Sequence, residues 1–152
     1  MSEDKKPQGK ARGKELNNTF DVERFPVTPM SFTKPYWDGT REKKLVIQYC
    51  PGAKKYQFYP RPTSIYTGKR NLEWREVAGN GQIYSYTITR RTRPPFRGHE
   101  PFAIAMVELD EGVRIMADLV NVTEDQLKIG LRVKPYWHPL PDGHHVLMYT
   151  PA

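Results

Sequence analysis

Along this chain, hydrophobic positions recur at a period of two more often than at helical spacing. In residues 113–119, Val113, Ile115, Ala117 and Leu119 interleave with Arg114, Met116 and Asp118. That pattern predicts a strand with one buried face. An apolar run at 102–109 precedes it, and Asp110-Glu111-Gly112 between them suits a hairpin turn. Upstream, Asn80-Gly81 opens a segment where Ile83, Ser85 and Thr87 alternate with Tyr84, Tyr86 and Ile88, again a strand. Residues 131–137 and 145–149 read as two last strands around the turn Pro141-Asp142-Gly143. Shorter strands are predicted at 45–49, 55–59 and 72–77. Helical signals are few. Thr123 caps a turn through Leu127, stopped by Gly130. Ser31 is placed as the N-cap of a helix carrying Phe32, Tyr36 and Trp37 on one face, with Pro35 in its first turn.

Strands joined by turns, one short helix late in the order and no βαβ spacing fit a small closed barrel better than a sandwich. The expected fold is mostly β, with an OB-fold domain over 72–152. An irregular, turn-rich segment spans 45–71, and an extended arm with the helix spans 21–44. Residues 1–20 have almost no apolar content and read as a disordered leader. The 14 prolines among 152 residues, about twice the usual frequency, favour strands, turns and extended arms over long helices.

Charge adds a direction. The net charge is +7 and is unevenly placed. Residues 41–76 carry nine Lys/Arg against three acids, and 77–102 carry Arg90, Arg91, Arg93 and Arg97 against Glu100. Residues 103–130 reverse this, with six acids against two bases. A basic zone attracts nucleic acid, phosphorylated cofactors or acidic protein surfaces; it also serves as a solvated face. An OB-fold leads first to oligonucleotides, although the acids at 103–119 argue against that. One cysteine excludes an internal disulfide framework and a four-cysteine zinc site. No apolar run approaches the roughly 18 residues of a membrane helix. A cytoplasmic location, with no membrane, is the expectation.

Nothing in the sequence forms a self-sufficient active site, so the expected catalytic residues and metal ligands are none. Cys50 has no neighbouring histidine. His144-His145 would point to opposite faces of a strand. Glu108, Asp110 and Glu111 cluster at a turn, and Gly79-Asn80-Gly81 lacks the Lys-Ser/Thr ending of a phosphate loop.

Several motifs follow a familiar order. They run Cys50-Pro51-Gly52-Ala53, then Pro60-Arg61, then Ser64-Ile65-Tyr66-Thr67-Gly68, then Leu72-Glu73-Trp74. Gly79 to Thr87, Pro101-Phe102, Val107 to Gly112 and Lys128-Ile129-Gly130 follow. Residues 32–150 resemble an acyl-CoA-associated family that joins a rubredoxin-like zinc ribbon to a C-terminal OB-fold and accompanies thiolase-like proteins. The chain departs from the family's four-cysteine pattern at Ala53, Ser64 and Thr67. The resemblance therefore implies a degenerate ribbon finger that keeps its shape without zinc, since alanine is no ligand and neutral hydroxyls replace thiolate poorly.

The resemblance further implies a non-catalytic subunit of a thiolase-type complex that shares a coenzyme A thioester with a catalytic partner in a hetero-oligomer. Coenzyme A phosphates would meet Lys54, Lys55, Arg61, Lys69 and Arg70 on the finger, or Arg90, Arg91, Arg93 and Arg97, with Tyr56, Phe58 or Tyr66 stacking on adenine. Phe32, Tyr36, Trp37, Phe58 and Tyr66 would face the partner, or pack on the chain's own domain. The competing reading is a single-stranded nucleic-acid-binding OB-fold protein.

Overall fold

The alternation at 113–119 buries Ile115, Ala117 and Leu119 and turns Arg114 and Met116 outward. A computed structural model describes residues 14–152. The strand is β6 (Arg114–Leu119), and it pairs with β5 (Phe102–Leu109) through the Asp110–Gly112 turn. β5 also pairs with β4 (Gly81–Thr89), where an irregularity between Ile83 and Ser85 resets the register. β7 (Arg132–Pro139) and β8 (His145–Pro151) form the last hairpin.

The five strands close into a barrel in the order β4-β5-β6-β8-β7. β7 returns to β4 at Gly81↔Val133, and β6 meets β8 in parallel at Leu119↔Tyr149. Gly81 is required at that closure. A Cβ there would strike the Glu108 carbonyl oxygen. Ile83, Val107, Ile115, Leu119, Val133, Leu147 and Tyr149 fill the interior. Burying such a side chain contributes roughly 1.5–3 kcal/mol each. A 3-10 turn, Glu124–Gln126, follows β6, and Leu127 after it is buried in the same core. The Gln126 side chain accepts from the Thr123 N–H at 2.9 Å. The OB-fold expectation holds.

A second sheet, β2-β1-β3, precedes the barrel. β1 (Leu45–Cys50) pairs with β2 (Lys55–Gln57) and with β3 (Glu73–Val77). The segment 72–77, expected to open the barrel domain, therefore belongs to the finger sheet, and the barrel begins at Gly81. Leu45 and Ile47 of β1 share the core cluster with the barrel, so finger and barrel are packed as one unit. Their junction is clamped. Tyr149 Oη donates to the Gly79 carbonyl at 3.1 Å, and the Gly79 N–H donates to Glu111 Oε1 at 3.2 Å.

Helix α1 (Lys34–Arg41) packs on β1 through Gly39, where a Cβ would lie 2.8 Å from Val46 Cγ2. Its N-cap is Thr33, not Ser31. Phe32 thus precedes the helix and does not share its face. The expected leader lies outside the described residues as far as residue 13. Residues 14–20 are not a free leader, because they lie along the barrel. Glu15 bridges Thr123, the Asn17 N–H donates to the Pro101 carbonyl at 2.7 Å, and Thr19 Oγ1 donates to Asp118 at 2.6 Å. No helix among the described residues is long and apolar enough to cross a membrane.

Candidate functional site

The finger loops bring together the positions that the sequence pattern marked. Cys50, at the end of β1, is fully buried. Ser64 Oγ donates to its sulfur at 3.0 Å, and Thr67 Oγ1 stands 4.0 Å from it. Ser64, together with the Ala53 and Gly52 N–H groups, favours the thiolate and lowers the thiol from its ordinary value. One thiol, two hydroxyls and a methyl do not fit a structural zinc. Among the described residues no group of three His, Cys, Asp or Glu side chains converges on a metal position.

Two glutamines that the sequence reading missed organise the same loops. Gln48 and Gln57 face each other across β1 and β2 and are both buried. Gln57 Nε2 donates to Gln48 Oε1 at 2.9 Å and to the Thr63 carbonyl at 3.2 Å. Gln48 Nε2 donates to the Arg61 carbonyl, while Gln48 Oε1 accepts from the Arg61 N–H. Gln57 Oε1 accepts from the Ile65 N–H. Buried amides must be satisfied, and here they tie the loop between β2 and β3 to the sheet. A polar residue among the buried positions of Leu-Val-Ile-Gln-Tyr-Cys was the signal. Arg61 takes part through its backbone, and its side chain is exposed.

The basic residues of the finger divide. Lys54, Lys55, Tyr56 and Tyr66 line a cleft of about 480 Å³, whose other wall is Asp110, Glu111 and Gly112. Lys55 Nζ lies 5.5 Å from the Tyr66 ring centroid, and Tyr66 Oη donates to the Tyr56 carbonyl. The cleft is thus of mixed charge. Tyr66, expected at a partner surface, lines this cleft, its hydroxyl 2.8 Å from the Tyr56 carbonyl. Lys69 and Arg70 are exposed on the adjoining loop.

The arginine loop stands elsewhere. Residues 90–101 connect β4 to β5, at the opposite end of β5 from the Asp110–Gly112 turn. Eight residues at about 3.4 Å each separate the two by roughly 27 Å. One diphosphate cannot reach both. Arg90 pairs with Glu124 at 2.7 Å. Arg91 and Arg93 make no ion pair among the described residues. The Glu100 carboxyl is lowered by its own N–H and those of Gly98 and Thr92, with Arg97 nearby. That carboxylate braces the loop from within at Thr92 and Gly98.

The aromatic residues of α1 and the finger do meet. Tyr36, Trp37, Phe58 and Tyr59, with Thr33 and Pro60, line a largely apolar cleft of about 320 Å³. Tyr36 contacts Trp37 edge-on at 5.0 Å and Phe58 at 5.7 Å. Burial pushes the Tyr36 phenol well up, with Tyr59 adding to the effect. Tyr59 is 49% exposed at the rim.

His144 and His145 face different partners, Asp142 at 3.1 Å and the Thr40 carbonyl at 2.7 Å. Glu108 pairs with Arg114, Asp110 with Arg132, and Asp118 with Arg24. The acids of 103–119 are structural groups with partners.

Comparison with known proteins gives this architecture relatives. Residues 74–138 match the family model for the C-terminal OB-fold domain of ChsH2. A probable enoyl-CoA hydratase alpha subunit of Thermomonospora curvata is 34% identical over 103 residues, covering 67% of this chain. This chain spans 32% of that protein's length. Among solved structures, the Ltp2-ChsH2(DUF35) aldolase contains a chain that superposes with a TM-score of 0.73 at 27% identity, over 83% of this chain and 98% of that one. A DUF35 domain-containing scaffold protein of Pyrococcus furiosus is 32% identical over 107 residues, which cover 70% of this chain and 77% of the relative. With that identity over so much of the scaffold protein, and with the barrel it shares, this chain belongs to the DUF35 domain family.

Proposed function

We propose that this chain is a non-catalytic subunit of a complex that processes acyl-CoA thioesters. One observation carries the reading: the superposition on nearly the whole of one chain of the Ltp2-ChsH2(DUF35) aldolase. The arrangement of side chains supports it, because Cys50 is held by Ser64 and Thr67 and, among the described residues, no histidine stands beside it as a base. The catalytic partner is a thiolase-type protein that supplies the nucleophile and base, and the shared substrate is a 3-oxoacyl-CoA. The finger carries no zinc.

Of the two basic groups, the arginine loop suits coenzyme A better. The lysine cleft sets Asp110 and Glu111 against any phosphate, whereas Arg91 and Arg93 offer forked donors on the surface. The experiment is affinity purification of the tagged chain from its native cells at about 150 mM salt, where weak electrostatic contacts are screened. A thiolase-type protein at near-stoichiometric yield is expected. Nucleic acid as the sole partner, lost as salt rises, would overturn the reading. Within the purified complex, Arg91→Glu with Arg93→Glu should weaken coenzyme A binding roughly tenfold or more.

A further inference from the structure

The structure assigns the docking face for that partner to an apolar band that crosses three parts of the molecule. It starts in the α1–finger cleft, where Tyr36, Trp37 and Phe58 are stacked. It passes through Tyr59, whose ring packs 4.3 Å from Phe58 and whose hydroxyl accepts from the Met116 N–H at 3.4 Å. It continues onto the outer face of the barrel, where Met116 stands opposite Met106 in the β5–β6 register, beside a groove of about 210 Å³.

Three features make this a binding face. The first is exposure: Met116 is 60% exposed and Tyr59 49%. Met116 takes an outward position of β6 between Arg114 and Asp118, where alternation calls for a polar residue. Contiguous exposed apolar surface, unlike a scattered apolar residue, marks a contact site. The second is charge. None of the residues lining the aromatic cleft or the barrel groove is charged, on a chain that is 27% Asp, Glu, Lys and Arg. Such a band offers nothing to a phosphate or a nucleic-acid backbone. It matches an uncharged apolar patch on a protein, and methionine there adapts to the partner's shape. The third is placement. The barrel part lies two to four residues along β5 from the arginine loop, about 7–14 Å. A catalytic subunit seated on the band therefore stands beside the proposed coenzyme A contact.

This inference rests on the subunit reading, and the test separates the two. The complex with the catalytic subunit is formed, and its dissociation constant is measured by biolayer interferometry. Met116→Glu and Tyr59→Ser should each weaken assembly by about tenfold or more. Lys55→Glu and Tyr66→Ala, in the mixed-charge cleft, should stay within about twofold of the unmutated chain. Thermal melts of the isolated chain should not move for Met116→Glu, which keeps a fold defect apart from a docking defect. If the complex forms and Met116→Glu binds as well as the unmutated chain, the band is overturned and the subunit reading stands. If Lys55→Glu is the variant that weakens assembly, the docking face is the charged cleft. If the chain self-associates through Met116 in sedimentation, the occupant is a second copy and the assignment fails. If no acyl-CoA enzyme binds the unmutated chain, both readings fall.

Discussion

In the barrel, backbone hydrogen bonds run strand to strand around a closed ring, and the interior is apolar. In the finger, a three-stranded sheet carries a long loop between β2 and β3 whose backbone groups are held by side chains: Gln48, Gln57 and Ser64, all buried. Gln48 and Gln57 serve the backbones of Arg61, Thr63 and Ile65, and Ser64 accepts from the Tyr66 N–H at 3.1 Å. The finger thus fixes irregular chain with polar groups that have few other uses. The barrel's stability follows buried area, whereas the finger's follows the satisfaction of a handful of amides.

The strongest test of that contrast supplies the finger with metal ligands. Ala53→Cys, Ser64→Cys and Thr67→Cys together should give near-stoichiometric zinc by atomic emission, since four thiolates bind structural zinc with apparent energies on the order of 10 kcal/mol. The unmutated chain should hold far less than one zinc per molecule. Stoichiometric zinc in the unmutated chain would show that the hydroxyls ligate after all. It would also make the glutamine network secondary.

Next in size is the barrel. Ile83 is fully buried, and Ile83→Ala should cost about 2–5 kcal/mol, read as a lower midpoint in denaturant. Leu45 and Ile47 belong to the same core cluster, so the finger should melt with the barrel in that variant. Separate transitions in the parent protein would break the picture of one shared core.

A smaller effect is expected in the finger. Gln57→Leu keeps much of the volume but leaves the Ile65 N–H and the Thr63 carbonyl without their partner. The expected cost is about 1–3 kcal/mol. Hydrogen exchange should quicken at residues 57–69 and not on β5 or β6. Uniform quickening would mean that the network supports the whole core rather than one loop.

These elements differ in how openly the sequence shows them. The barrel was legible because strict alternation such as Val113 to Leu119 declares both strand and buried face. The strand Glu73–Val77 was also predicted as a strand, but its partner is β1, earlier in the chain, and a strand signal does not name partners. Residues 14–20 looked unfolded because Leu16 and Phe20 stand isolated in a polar stretch. Leu16 packs against the core and Phe20 stacks on Tyr136 and His138, while Asn17, Asn18 and Thr19 hydrogen-bond to residues about a hundred positions away. The helix begins at Lys34 because Thr33 can close a turn with Met30, whose N–H donates to Thr33 Oγ1 at 3.0 Å. The site was legible only as a set of residue types. Tyr36, Trp37 and Phe58 do converge, but the pairing of Lys54 and Lys55 with Asp110 and Glu111 joins residues more than fifty apart. Met116 carried a visible signal, an apolar residue on the polar face of β6.

The least effect concerns the loop that ties the arm and α1 to the β7–β8 hairpin. Asp142 accepts from the His144 N–H at 3.0 Å and the Val27 N–H at 3.1 Å, while its own carbonyl accepts from Arg41 at 3.1 Å. The His144 N–H, then the His144 ring and the Val27 N–H, depress the Asp142 carboxyl to about 2. An unfolded aspartate titrates near 3.9. The folded value lies below the unfolded one, so the contribution is fully present above about pH 4. It fades as pH falls toward about 2. Asp142→Asn should lower the melting temperature slightly at neutral pH and flatten its decline between about pH 4 and 2. A decline as steep in the variant as in the parent would assign the acid sensitivity to Glu100 or Asp110, whose carboxyls are also held below their ordinary values. The arm would then be anchored mainly by Arg24 on Asp118, 2.9 Å apart at the edge of the barrel.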